Sequence, residues 1–99
     1  MNDSDDKIRI VILEAGFVMV CRCPEPSQFP YWLPYSSRRT IRRWGTTKGL
    51  GELCNGPTSE TVLDELVAEG TCPVRAIIDV LECSEEGLKA WSKVLGGVK

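Results

Sequence analysis

The chain has 99 residues, 42% of them hydrophobic and 26% charged, with a formal net charge of −2, the composition of one small globular domain. No apolar run approaches the roughly 18–20 residues of a membrane-spanning helix, and Met1-Asn2-Asp3-Ser4-Asp5-Asp6 is acidic where a secretory signal is basic and then apolar, so a cytoplasmic protein with no membrane contact is expected. The lack of histidine removes Ser-His-Asp and Cys-His catalysis and every His-containing metal site.

Residues 1–6 read as a flexible acidic leader, 7–95 as a single small domain and 96–99 as a tail. Lys7-Ile8-Arg9-Ile10-Val11-Ile12-Leu13 is rich in β-branched residues, and on a strand Ile8, Ile10 and Ile12 line one face. Glu14-Ala15-Gly16 reads as a turn and Phe17-Val18-Met19-Val20-Cys21-Arg22-Cys23 as a second strand, so the two form a hairpin. The Pro-rich stretch 24–30 breaks regular structure, because proline gives no donor to a central ladder. Tyr31-Trp32-Leu33 is predicted as a short third strand ended by Pro34, and Thr40-Ile41-Arg42-Arg43-Trp44 as a fourth closed by Gly45.

A short helical turn is predicted near 49–54, docked on the core and ended by Asn55-Gly56-Pro57. Over 58–70 the local rules predict an amphipathic helix, with a cap residue at its start, apolar positions 62, 63, 66 and 67, and Gly70 at the C′ position. Pro73 restarts an extended run over 74–83, whose Ala76, Ile78 and Val80 share a face. Ser84 can cap a final helix near 85–95, with Leu88, Trp91 and Leu95 on one stripe and Gly96-Gly97 ending it. Strands first and a helix last predict an α+β, mainly β fold, built as a small antiparallel, partly closed, barrel-like sheet with helical cover.

Cys21, Cys23, Cys54, Cys72 and Cys83 are odd in number and contain no Cys-x-x-Cys. Buried free thiols in a reducing compartment are expected, with no metal and no cofactor. Charge is segregated: 36–48 carries Arg38, Arg39, Arg42, Arg43 and Lys48 without an acid, whereas 52–86 carries nine acids against Arg75 alone. The two patches either pair within one fold, sit solvated on separate faces, or leave the basic one for an anionic ligand or for the acidic patch of a second copy.

Segment 36–51 concentrates cations, hydroxyls, an aromatic ring and glycines. On a strand, Ile41 and Arg43 share one face and Arg42 and Trp44 the other, so each face mixes an apolar group with a guanidinium. An unpaired guanidinium costs several kcal/mol to bury, so either the strand bends or an arginine has an anionic partner. The following Gly45-Thr46-Thr47-Lys48-Gly49 supplies backbone N–H groups, two hydroxyls and an ammonium, the groups that hold phosphate oxygens. It is not a Walker A loop, because Lys48 precedes glycine rather than a hydroxyl residue. The candidate ligand-binding residues are therefore Arg42, Arg43, Trp44, Thr46, Thr47 and Lys48, set against the plainer reading of a turn flanked by solvated arginines. Trp32 and Trp44 are either base-stacking surfaces or core.

Ile41-Arg42-Arg43-Trp44-Gly45-Thr46-Thr47, followed by Gly49-Leu50-Gly51-Glu52-Leu53, Gly56-Pro57-Thr58 and Leu63-Asp64, resembles a family of short uncharacterised proteins of phages and prophages. The likeness reaches more loosely over Ile8 to Val20 and the strand ending at Cys83, and it implies that Thr61-Val62-Leu63 is extended rather than helical. The chain departs from that family in a longer Pro-rich loop at 24–30 and extra residues near 65–72. A phage setting implies a non-enzymatic counter-defence protein, a homo-oligomer that sequesters an anionic, nucleotide-type immune signal through the basic strand and Gly/Thr loop. Two alternatives stand beside it: a protein–protein inhibitor of a host defence complex, anti-CRISPR-like, whose acidic run imitates a nucleic-acid backbone; and a small nucleic-acid-binding barrel. In an enzyme, Asp64, Asp79 or Cys54 would act, but no spacing pairs a nucleophile with an activating group.

Overall fold

The computed structural model describes residues 6–96; most of the expected leader and tail, 1–5 and 97–99, lies outside them. The expected hairpin forms from β1 (Lys7–Leu13) and β2 (Val18–Cys23), paired from Lys7 opposite Cys23 to Ile12 opposite Val18. Its turn is a short 3-10 helix, Glu14–Gly16, in which Ala15 (φ 67°) and Gly16 (φ 80°) are left-handed. Here the glycine's freedom is what lets the chain reverse in so few residues.

The third and fourth predicted strands are one: β3 (Trp32–Arg43) runs unbroken through Pro34. Pro34 lies past the last β2 pair, Arg22 opposite Ser36, so its missing donor interrupts no bond on that side. The far side of β3 is taken by β4 (Val62–Leu63) and β5 (Val67–Pro73), both antiparallel to it. The helix that local rules predict over 58–70 is therefore absent. A twelve-residue strand with one flank open leaves a row of unpaired backbone groups, and this segment closes it, whereas a helix would have spent its backbone bonds on itself. The signals read as helix ends have other uses. Gly70 lies opposite Tyr35, whose hydroxyl would sit 2.4 Å from a Cβ placed there. The resemblance's extended 61–63 agrees with β4 at Val62 and Leu63.

A 3-10 corner, Val74–Ala76, leads into β6 (Ile77–Glu82), which pairs back on β1. The sheet order is β4-β3-β2-β1-β6 with β5 also on β3. β6 stands at one margin, β4 and β5 at the other, and the sheet is not closed, short of the expected barrel. The expected helical turn is the 3-10 segment Leu50–Asn55, and the expected final helix is α1 (Glu85–Val94), capped by Ser84, whose Oγ accepts from the Gly87 N–H at 3.0 Å.

Apolar residues lie on both faces of β1 and β2. On one face Ile8, Ile10, Val18, Val20 and Ile41 pack under Leu53, Trp91 and Leu95. On the other, Val11, Met19, Cys21, Cys23, Leu33 and Cys72 form a second cluster under β5 and the corner. The link from the 3-10 segment to α1 is specific: Trp91 Nε1 donates to the Leu53 carbonyl at 2.8 Å, and the Ser84 N–H donates to the Cys54 carbonyl at 3.0 Å. Arg9 is the exception among buried residues, at 4% exposure. Its guanidinium is neutralised by Glu82 at 2.9 Å and Glu25 at 3.6 Å and donates to the Cys23 carbonyl, which is how a buried charge is tolerated.

Candidate functional site

The predicted site begins where β3 carries its arginines. Ser37 (φ 54°) is left-handed, and between the pairs Val20–Arg39 and Arg22–Ser36 the strand holds one residue more than β2, a bulge that turns the arginines that follow. Arg38 folds back on Tyr35: Nη1 donates to the phenol oxygen at 2.9 Å and the guanidinium carbon lies 5.2 Å from the ring centre. Arg39 Nε donates to the Asp64 carbonyl at 2.6 Å, and Nη1 to the Val94 carbonyl at 3.3 Å. It thereby ties β3 to the last turn of α1, where a cation suits the helix dipole.

Arg42 Nε meets Asp64 Oδ1 at 2.6 Å, both side chains largely in water at 65% and 43% exposure. A second irregularity, Ile41 opposite Leu63 but Arg43 opposite Val62, gives β3 an extra residue at this point. That bend resolves the mixed faces. Ile41 is buried at 4%, while Arg42, Arg43 and Trp44 all face solvent. The Arg43 guanidinium makes no hydrogen bond or ion pair among the described residues.

The glycine loop is held from its own chain. Gly45 (φ 69°) passes against the Glu60–Thr61 peptide so closely that a Cβ would lie 2.4 Å from the Glu60 carbonyl carbon. Thr58 Oγ1 donates to the Gly45 carbonyl and Thr61 Oγ1 to the Trp44 carbonyl, each at 2.6 Å. The Thr47 and Lys48 N–H groups both donate to Glu52 Oε1 at 3.1 Å. The cradle expected for a phosphate thus receives a carboxylate of the same chain.

The strand-end arginines need no outside anion: the strand bends so that Arg42 and Arg43 face solvent, Asp64 pairs with Arg42, and Glu52 satisfies the loop amides. Arg38 differs, because its buried Nε has no hydrogen-bond partner among the described residues. The structure brings Arg42, Arg43 and Trp44 together on an exposed strand end, with Thr46, Thr47 and Lys48 in the adjoining loop. A cleft of about 310 Å³ does open beside Arg42, lined by Ala15, Gly16, Phe17, Thr40, Ile41, Arg42 and Asp64. Another cleft, of about 510 Å³, is bordered by Asp6, Tyr35 and Glu69 and contains none of the predicted site residues.

All five thiols are free; Cys21, Cys23 and Cys72 are buried in the second core cluster as expected, whereas Cys54 and Cys83 are half-buried. A hydrogen bond between Cys21 and Cys23 raises the Cys21 thiol well above its ordinary value and lowers that of Cys23, which Arg9 lowers further. Cys23 is nevertheless 0% exposed. No group of three or more Cys, Asp or Glu side chains is arranged to hold a metal among the described residues.

A second exposed surface joins Trp32, which the sequence left open between surface and core, to Tyr31, which the sequence did not single out. Tyr31 is 75% and Trp32 59% exposed, and with Pro30, Pro73 and Arg75 they line a cleft of about 310 Å³. Trp32 is therefore not core, and neither is Trp44 at 42% exposure; Trp91 takes that role. The available signal was alternation: Leu33 is buried, so Trp32 and Pro34 must point to the opposite side of β3. No protein-family model matches the chain, and no curated protein matches it in sequence.

Proposed function

We propose that this is a non-enzymatic binding protein that works by docking on a partner protein, with the Tyr31–Trp32 corner as its docking face. The observation that carries this is the pair of adjacent aromatic rings left more than half in water where β3 begins. Single exposed apolar residues are ordinary, but Trp, Tyr and Arg gathered around one cleft are the residue types that dominate binding energy at protein interfaces. In the phage setting that the motif resembles, the partner is a component of a host defence system in the bacterial cytoplasm, and docking inhibits it. The test is capture from bacterial lysate with the wild type, a Tyr31→Ala/Trp32→Ala double variant and an Arg42→Ala/Arg43→Ala double variant. The reading requires a partner that the aromatic variant loses and the arginine variant keeps. Equal capture by all three, or no capture by any, removes it.

A second reading, sequestration of a nucleotide-type anion, is favoured by the cleft beside Arg42, where Phe17 is 60% exposed. An exposed ion pair such as Arg42–Asp64 is worth only about 0–1 kcal/mol, so a phosphate can displace Asp64 at small cost. Calorimetry with a panel of cyclic nucleotides tests it, and heats that Arg42→Ala leaves unchanged would count against it.

A further inference from the structure

We infer that the occupant of the Tyr31–Trp32 cleft is an extended, proline-containing segment of the partner that carries a carboxylate; this deepens the docking reading and rests on it. Three features lead there. First, the lining is two prolines, two aromatic rings and one guanidinium. Flat rings and pyrrolidine edges form ridges that accept another proline-rich chain, whose polyproline II backbone has no internal hydrogen bonds to break.

Second, the backbone at this rim has little left to offer. Pro30 and Pro73 have no N–H, Trp32 is paired with Pro73 in the sheet, and the Val74 N–H donates to the Tyr31 carbonyl at 2.9 Å. A partner that adds a strand needs a row of ladder donors and acceptors. Recognition at this corner therefore falls to side chains.

Third, the cleft has one charge. Arg75 is exposed, makes no ion pair among the described residues, and is the one base in the otherwise acidic stretch 52–86. A carboxylate on the incoming segment meets a bidentate donor there, whereas a basic segment meets repulsion from Arg75 at the cleft itself.

The experiment titrates the ¹⁵N-labelled full chain with a synthetic nine-residue proline-rich peptide bearing one central glutamate. Two control peptides replace either every proline by alanine or the glutamate by lysine. The expected result is saturable movement of the Trp32 indole resonance and of the Tyr31, Val74 and Arg75 amides. Affinity should weaken about tenfold or more in Trp32→Ala and fall measurably in Arg75→Gln. Both positions are exposed, and unchanged spectra elsewhere verify folding. Equal binding of the alanine or lysine peptide, resonance changes confined to other regions, or no change at millimolar peptide overturns the inference. So does self-association that moves the same resonances without peptide, because the occupant is then a second copy. If Trp32 is needed for lysate capture while no proline peptide binds, the docking face stands and its assigned occupant falls.

Discussion

The fold's most exacting contact lies between α1 and the 3-10 segment, and Trp91→Phe probes it. Trp91 is 0% exposed, and its indole N–H reaches the Leu53 carbonyl, itself in a fully buried residue. Phenylalanine keeps a ring in the same space but removes the donor and part of the indole volume. The carbonyl is not orphaned, because it also accepts from the Gly56 N–H at 3.0 Å. The loss is then the net value of one hydrogen bond, about 0.5–1.5 kcal/mol, plus about 1 kcal/mol for the void left by the smaller ring. A total near 2 kcal/mol lowers the midpoint by about 8–16 °C in a domain of this size. Trp91→Ala empties the whole site and should cost about 3–5 kcal/mol, a large part of the roughly 5–15 kcal/mol that holds such a domain together. Urea titration followed by far-UV circular dichroism measures both variants. A Trp91→Phe cost below about 0.5 kcal/mol would refute the role given to the indole, and a cost equal to that of Trp91→Ala would refute the division between ring volume and hydrogen bond.

Gly45→Ala should destabilise by more than the 1–2 kcal/mol of a left-handed residue alone, because its Cβ meets the Glu60–Thr61 peptide; Gly51→Ala, which meets nothing within 4 Å, should change the thermal midpoint little. Stability should also fall in alkali: burial, then the neighbouring Cys54 and Glu82, push the Cys83 thiol from 9.0 up to about 12, and burial raises Cys54 as well. The folded chain holds those protons where the unfolded chain releases them, so this contribution is whole below pH 9 and lost as pH climbs toward 12. Urea midpoints across that range should fall less steeply in Cys83→Ala than in the wild type.

The candidate site was half legible. The identity of the basic strand and glycine loop, and the conflict between Ile41, Arg42, Arg43 and Trp44 on a regular strand, could be read from the order of residues. The resolution was readable only in part: Glu52 is a near neighbour of the loop amides it accepts from, but Asp64 reaches Arg42 only after folding. The aromatic corner went unread for a similar reason: whether a tryptophan is core or surface depends on what lies opposite it, and Trp32 lies opposite Pro73 on an outer face.

Local order in the sequence was enough for the 7–23 hairpin, the 3-10 turn near 50–55 and the capped helix from Glu85. Each is closed by hydrogen bonds and caps between near neighbours, and each displays its period over a single turn or strand pair. The segment 58–70 was decided by the tertiary structure instead. Its apolar spacing and end signals satisfy a helix, yet the unpaired flank of β3 offers ladder partners to Val62, Leu63 and residues 67–70, and Tyr35 needs the space that Gly70 leaves. Bonds within a segment can be counted from its own residues, whereas bonds to a strand some thirty residues away exist only once that strand is in place.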